Sequence, residues 1–245
     1  MNIEKQIALV TGGASGMGAA CVAWLRARGA QVMVWDRQII EGDGLMCDVS
    51  SSEGVEQALN TTIKTMGVPR ICIQCAGVAP AARMVGKNGP MLLSAFKEVV
   101  DINLVGTFNV MRVVADALSR EACADDAGGR GVIINTASIA AYEGQIGQLA
   151  YSASKGGVVS MTLPAARELA QFGIRVNTIA PGLIATPMLL NMPADVQERL
   201  AATVPFPHRF GKPQEFAALV GHVIENEMIN GEVIRLDGAL RMQAK

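Results

Sequence analysis

Charge is scarce in this chain. Asp, Glu, Lys and Arg make up 18% of its 245 residues, against roughly 25% in an average globular protein. Lys and Arg number 21, Asp and Glu 22, for a net charge of −1. An electrostatic nucleic-acid binder carries a clear basic excess, so this balance argues against a nucleic-acid partner. No apolar run reaches the ~18 residues of a membrane span. The opening MNIEKQIALV has neither the layout of a secretory signal nor the Arg-rich pattern of a transit peptide. Five cysteines, an odd number, are no disulfide framework in a chain of this length. These absences lead to the expectation of a cytoplasmic protein in a reducing compartment with no membrane partner. Histidine is rare too. His208 and His222 are the two present, both far from the motifs below, and both read as surface or loop residues. Repeats, low-complexity stretches and linkers are missing, so one domain over residues 1–245 is expected.

What is present is apolar: half of the residues are hydrophobic. Short runs at Ile7–Thr11, Gln31–Asp36, Leu45–Cys47, Arg70–Cys75, Gly131–Thr136, Arg175–Ala180 and Val233–Leu236 are mostly continuous rather than alternating. Strands buried on both faces of a parallel sheet read this way. Helical patterns near Gly16–Arg28, Ser52–Met66, Leu92–Ser119, Tyr151–Gln171 and Pro213–Asn226 come between them. The alternation predicts an α/β fold: a Rossmann doubly wound parallel sheet of about seven strands with helices on both faces. Pro164 falls inside a predicted helix and should kink it or loosen its hydrogen bonds. Ala122–Arg130 reads as an exposed loop. The eight residues between Asp36 and Leu45 are too few for a crossover helix, since a parallel connection needs roughly a dozen or more.

The first strand runs into TGGASGMG, Thr11 to Gly18, at the start of a helix. Gly12, Gly16 and Gly18 permit a tight turn and close approach of a pyrophosphate, and the helix N-terminus offers it free amides and a positive dipole end. The second strand ends in Asp36, whose carboxylate can bind the diol of an adenosine ribose and would repel a 2′-phosphate. That favours NAD over NADP, although Arg37 follows it. Cys72-x-x-Cys75 invites a redox or metal reading. Residues i and i+3 of a strand face opposite ways, however, and further ligands are missing, so no metal is expected.

Tyr151 and Lys155, in YSASK, are spaced i, i+4 and share one helix face. An ammonium about 4 Å from the phenol would bring its pKa from ~10 toward neutrality, making the pair an acid/base near pH 7. Ser138 follows the strand GVIINT at its carboxyl end, where open α/β sheets bind ligands. Its hydroxyl can hold a carbonyl or alcohol oxygen. Gln145, between Ser138 and Tyr151, is a candidate pocket residue. The long apolar connection Leu183–Phe210 reads as a substrate lid around 183–210.

TGGASGMG, Asp36, CDV (Cys47–Val49), CAG (Cys75–Gly77), Asn103, Ser138, YSASK and PG (Pro181–Gly182) stand in the order found in short-chain dehydrogenases/reductases. The chain resembles that family over its whole length. Blocks such as IRVNTIAPGLIATPML, VPFPHR and NGEVIRLDGALRMQ resemble its type II 3-hydroxyacyl-CoA dehydrogenase branch. The resemblance implies a catalytic set of Ser138, Tyr151 and Lys155 with Asn103 as fourth member, holding a water in a proton relay. It implies Ser15 and Met17 at the pyrophosphate turn, and Asp48 and Val49 at the adenine. Cys75 stands where the wider family has Asn. Gly77, Pro181 and Gly182 line the cofactor, with Ile184 and Thr186 near the nicotinamide amide and phosphates. Tyr151 and Lys155 also touch the cofactor, and Ser138, Gln145 and Tyr151 the substrate.

The function expected is an NAD-dependent dehydrogenase interconverting a secondary alcohol and a ketone. The residues themselves reach a hydrophobic secondary alcohol; the resemblance implies 3-hydroxyacyl-CoA. A hydroxysteroid or another hydrophobic alcohol is the alternative. A 3-oxoacyl-carrier-protein reductase would normally prefer NADPH, which Asp36 disfavours. A noncatalytic scaffold is the reading from another class, and the intact Ser–Tyr–Lys set argues against it. Gly156, Gly157, Ala165 and Ala166 would admit a neighbouring helix, and the tail after Val233–Leu236 has few residues left to cover it. Both favour a homo-oligomer of dihedral symmetry, and the resemblance implies a homotetramer.

Overall fold

The computed structural model describes residues 1–38, 42, 44–87, 89–123 and 127–244. β1 (Ile7–Thr11), β2 (Gln31–Asp36), β3 (Gly44–Met46), β4 (Ile71–Gln74), β7 (Gly131–Thr136), β8 (Ile174–Pro181) and β9 (Val233–Leu236) form one seven-stranded sheet in the order β3-β2-β1-β4-β7-β8-β9. Every pairing in it is parallel. β5 (Val85–Gly86) and β6 (Gly89–Pro90) make a separate antiparallel pair. The sheet is wound one way from β1 through β2 to β3 and the other way from β4 to β9. The switch point lies between β1 and β4, and a ligand crevice opens there beyond the strand ends.

Both faces of the sheet are covered, which is why the strands read as unbroken apolar runs. On one face Leu9, Trp35, Cys72, Ile133 and Val176 meet residues of α2 (Ser52–Thr65), α4 (Gly106–Ser119) and α5 (Leu149–Ala170). On the other, Val10, Val34, Ile73 and Ile134 meet α1 (Gly16–Arg26) and α8 (Pro213–Glu225). The predicted Leu92–Ser119 helix is α3 (Leu93–Val100), a π-helical stretch Asp101–Val105 and α4 in succession. Single π turns inside helices frequently mark functional sites, and Asn103 sits within this one. The connection after β8 carries α6 (Pro187–Leu190) and α7 (Ala194–Ala202).

Several expectations change. α5 runs unbroken through Pro164; the carbonyl that loses its amide partner belongs to Ser160, an exposed residue whose carbonyl water can serve. The Ala122–Arg130 loop is not wholly exposed, because the Arg130 guanidinium donates to the Glu121 and Phe172 carbonyls, each at 2.7 Å. Its residues 124–126, and residues 39–41 and 43 on which the missing-helix reading rests, lie outside the described residues. Some of the small residues of α5 are filled from within the chain. A β-carbon at Gly157 would stand 2.7 Å from Leu104, and Ala166 is in the core. The tail is covered too: Leu240 is 4% exposed and packs with Ile139 and Val204. The tail, Gly157 and Ala166 therefore give no ground for an oligomer, while Gly156 stays open, with only the Ala141 carbonyl 3.9 Å from a β-carbon there. The apolar surface that remains at Val105, Phe108, Leu149 and Leu163, 44–50% exposed, lies on the π turn, α4 and α5.

β2 delivers Asp36 to the crevice, and Trp35 anchors β2. Trp35 is fully buried and its indole N–H donates to the buried Thr62 hydroxyl on α2 at 3.1 Å. Thr62→Val keeps the shape and leaves that donor unpaired, which costs about 1–3 kcal/mol. Urea unfolding should show that loss; a change below about 0.5 kcal/mol would mean the bond contributes nothing net.

Candidate active site

The loop between β1 and α1 is shaped by backbone contact. Gly12 has φ +67, and a β-carbon there would lie 2.7 Å from the Ala76 amide nitrogen. A β-carbon at Gly18 would collide with the Gly12 carbonyl. Ser15 occupies the N-cap of α1 without a side-chain cap bond, which leaves first-turn amides available to an anion. Asp36 closes the far side: its Oδ2 accepts from the Ala14 amide at 3.0 Å and its Oδ1 from Gln38 at 3.0 Å.

From this loop a cleft of about 430 Å³ runs past the strand ends to Ser138, Tyr151 and Lys155. Gly12, Ser15, Gly16, Met17, Gly18 and Asp36 line its first part, with Val49. Cys75 and Gly77 form the floor, and Pro181, Gly182, Ile184 and Thr186 the opposite wall. Asp48 is not on the lining; its Oδ1 accepts from the Ser50 amide at 3.0 Å and hydroxyl at 2.7 Å. Gln145 does not join the cleft either. It lines a neighbouring open depression, and its Nε2 donates to the Gln243 carbonyl at 3.2 Å. Gln148, three residues on, lines the cleft instead, as do Ile139, Leu183, Leu189 and Met242. Gln148 begins the approach to α5, so helical spacing back from Tyr151 was the signal that could have found it. Met242 left no such signal, because its place depends on a tail folding back.

The chemistry gathers at the ends of β4 and β7. Ser138 is buried; its Oγ accepts from the Ala140 amide at 3.1 Å and shares a hydrogen bond with the Tyr151 hydroxyl. Lys155 is 4% exposed, and its Nζ donates to the Thr136 carbonyl at 2.7 Å. That ammonium stands 5.9 Å from the centroid of the Tyr151 ring. Its hydrogen bond goes to Thr136, and at the phenol burial dominates. It pushes the Tyr151 phenol up, with the Ser138 bond holding it back. Burial pulls Lys155 down to about 8.

Asn103 is fully buried behind the cleft. Its Oδ1 accepts from the Val78 amide at 2.8 Å, and its Nδ2 donates to the Val78 carbonyl at 2.9 Å and the Ser154 hydroxyl at 3.1 Å. It ties the π turn to the end of β4 and to α5. Gly77 is where these groups converge: a β-carbon there would lie 3.0 Å from Asn103 Oδ1 and 3.5 Å from Lys155 Nζ. Cys72 belongs to one core layer and Cys75 packs against the other. Burial pushes the Cys72 thiol up to about 12, which makes it inert at neutral pH. Among the described residues no cluster of His, Cys, Asp or Glu is arranged to hold a metal.

An uncapped helix N-terminus behind a glycine turn, with a Ser–Tyr–Lys group at the other end of one cleft, defines a dinucleotide-dependent oxidoreductase. Comparison with known proteins agrees. Residues 6–197 match the short chain dehydrogenase family, and the chain belongs to that family of oxidoreductases. The 3-hydroxyacyl-CoA dehydrogenase type-2 of Bos taurus is 48% identical, across 99% of this chain and 97% of the relative. Its Drosophila melanogaster namesake is 47% identical, across 98% and 99%. The crystal structure of 3-hydroxyacyl-CoA dehydrogenase type-2 from Mycobacterium avium superposes with a TM-score of 0.92 at 38% identity, over 100% of this chain and 98% of that one.

The buried lysine has a measurable consequence. A free lysine has a pKa near ~10.4, so folded Lys155, at about 8, loses its proton first. Below pH 8 both states hold it, and the fold carries the cost of a desolvated ammonium. As pH rises from 8 toward ~10.4 the unfolded state binds more protons and stability climbs. Lys155→Met lacks this gain. Relative to the wild type, its stability by urea unfolding should fall by on the order of 3 kcal/mol between pH 7 and pH 10. A difference that stays flat with pH would show that Lys155 is not desolvated.

Proposed function

We propose that this protein is an NAD-dependent dehydrogenase that interconverts 3-hydroxyacyl-CoA and 3-oxoacyl-CoA. The observation that carries the reaction class is the placing of Ser138, Tyr151 and Lys155 at one end of the cleft whose other end is Asp36. The acyl-CoA reading is supported by the similarity to dehydrogenases of that name. NAD, when bound, supplies the carbon that accepts or returns the hydride.

The glycine turn and the start of α1 suit the pyrophosphate, and the Asp36 carboxylate suits a ribose diol while repelling a 2′-phosphate. Val49 would meet the adenine, and Asp48, held by Ser50, would fix the turn beside it. Cys75, Gly77, Pro181, Gly182, Ile184 and Thr186 would flank the nicotinamide half. Ser138 holds the substrate oxygen. Tyr151 transfers the proton between that oxygen and its own hydroxyl. Because burial favours the phenol form, Tyr151 is ready to donate a proton to a ketone, and alcohol oxidation should quicken as pH rises. Lys155 contributes positive charge under the site and a donor for the nicotinamide ribose. Asn103 would hold the relay geometry by fixing the π turn. Residues 183–210, with Leu183 and Leu189 on the cleft, would serve as the lid over the substrate.

Initial rates with 3-hydroxyacyl-CoA substrates test this reading. kcat/KM with NAD should exceed that with NADP at least about tenfold, or ~1.4 kcal/mol. Tyr151→Phe should lose roughly 10²-fold or more in kcat, the scale of general acid–base catalysis, with NAD binding retained. No turnover of any 3-hydroxyacyl-CoA would refute the substrate, and equal use of NADP would refute the role of Asp36.

We also propose a homotetramer in the cytoplasm. The face presented by Val105, Phe108, Leu149 and Leu163 supports self-association, since an apolar helix face is stable when covered. Light scattering should give about four times the chain mass of 25.7 kDa. A mass equal to one chain would overturn it, and Phe108→Glu should lower the assembly state if this face is the interface.

A further inference from the structure

The segment after β9 is held from many sides for a chain end. The Arg235 guanidinium donates to both carboxylate oxygens of Glu143, at 2.8 and 2.9 Å, to Asp237 Oδ2 at 2.6 Å and to the Leu240 carbonyl at 3.0 Å. It stands 5.2 Å from the centroid of the Tyr142 ring. Arg241 adds a bond to Asp237 at 3.2 Å. Further along, the Ile146 amide donates to the Ala244 carbonyl at 3.0 Å. A bidentate Arg–carboxylate pair that is 22% and 23% exposed is far more constraining than a solvated surface pair. Tyr142 and Glu143, which meet Arg235, and Ile146, which meets Ala244, all belong to the loop between Ser138 and Tyr151. The tail is therefore clipped to the loop that separates the two residues handling the substrate oxygen.

Apolar packing closes the same arrangement. Leu240 is buried with Ile139, next to Ser138, and with Val204 from the connection after β8; Leu183 and Met242 pack against them. Met242 lines the cleft together with Ser138 and Tyr151, at the opposite end from Asp36. A thioether there offers a flexible apolar surface that adapts to a substrate chain.

We propose that residues 237–244 form a wall of the substrate end of the cleft. Met242 is a specificity-determining residue that sets the length of apolar chain accepted beside the reacting carbon, and Arg235 is the positioning residue that holds this wall. The inference rests on the alcohol–ketone dehydrogenase reading. It adds a discriminating element from outside the 183–210 connection. Trimming Met242 removes contact with chain carbons; each buried methylene is worth about 0.8 kcal/mol, close to fourfold in affinity.

The test measures binding of 2-alkanones from butanone to decanone by calorimetry to the NAD-saturated enzyme, in which oxidised cofactor and ketone cannot react. Wild type, Met242→Ala and Arg235→Gln are compared, with Arg70→Gln as a control that breaks hydrogen bonds to the Arg130 and Ala122 carbonyls at the far end of β4 from the cleft. Met242→Ala should weaken the preferred chain length by at least about fourfold and move the preference to longer chains. Arg235→Gln should shift the preference the same way, whereas a merely structural arginine would lower Tm, as Arg70→Gln is free to do, with no shift. Chain-length profiles that coincide in wild type and Met242→Ala, flat ones included, overturn the wall. An Arg235→Gln profile matching the wild type overturns the positioning role. Because these ketones carry no CoA, failure of the acyl-CoA substrate shows in the rate assays alone and leaves this comparison intact.

Discussion

Lys155 brings an ammonium group beneath the ends of β4 and β7, out of reach of bulk water, and the rest of the site is arranged around that demand. A buried cation is tolerated when oxygen meets it. The Thr136 carbonyl does so at 2.7 Å, at the end of β7 where strand pairing gives way to the Ser138 turn. That contact fixes α5 against the sheet, and with α5 it fixes Tyr151, four residues earlier on the same face. The close approach also explains Gly77. A side chain there would crowd both Lys155 and Asn103. Asn103 in turn needs the π turn, which aims its amide at Val78 and Ser154 rather than along the helix. One desolvated charge thus ties together a strand end, a glycine, a distorted helix and the helix that carries Tyr151.

Most of the fold could be read from residue pattern because parallel strands buried on both faces leave little ambiguity. β1, β2, β7 and β9 fall where their apolar runs are, and β3, β4 and β8 differ by a residue at their ends. The features that escaped reading are those local pattern does not encode. The β5–β6 pair is two residues a side with two Gly and a Pro in it. α7 has no buried residue, so no apolar stripe announces it. The π turn is invisible because DINLV continues the helical spacing on both sides. Assembly is not encoded in such a pattern for a related reason. Glycines and alanines on a helix show that something approaches closely. They do not show whether it comes from the same chain, as Leu104 does at Gly157.

The site divides in the same way. Nucleotide residues near a strand end were legible, since close backbone approach and a carboxylate at a set point are requirements written into single positions such as Gly12 and Asp36. Spacing correctly put Tyr151 and Lys155 on one face, yet it could not say which oxygen the ammonium would choose. The ammonium donates to Thr136, and desolvation is the larger influence on Tyr151. Gln145 and Gln148 show the limit at the substrate end. Both lie between Ser138 and Tyr151, and the difference between cleft and surface comes from the loop's path and from the tail that claims the Gln145 amide.

This asymmetry has a physical origin. The nucleotide end is made of turns between consecutive elements, β1 to α1 and β2 onward, so its geometry is local in sequence. The substrate end is assembled from three distant pieces: the loop after Ser138, the connection after β8 and the tail after β9, meeting through Ile139, Val204, Leu183 and Leu240. None of the three contains the others' partners, and each can vary in length or side chain without disturbing Lys155 or the glycine turn. A chain built so keeps its reaction while its substrate preference drifts. The local geometry of residues 11–36 and 138–155 was therefore readable. The identity of the alcohol depends on side chains such as Met242, whose role appears when the chain has closed on itself.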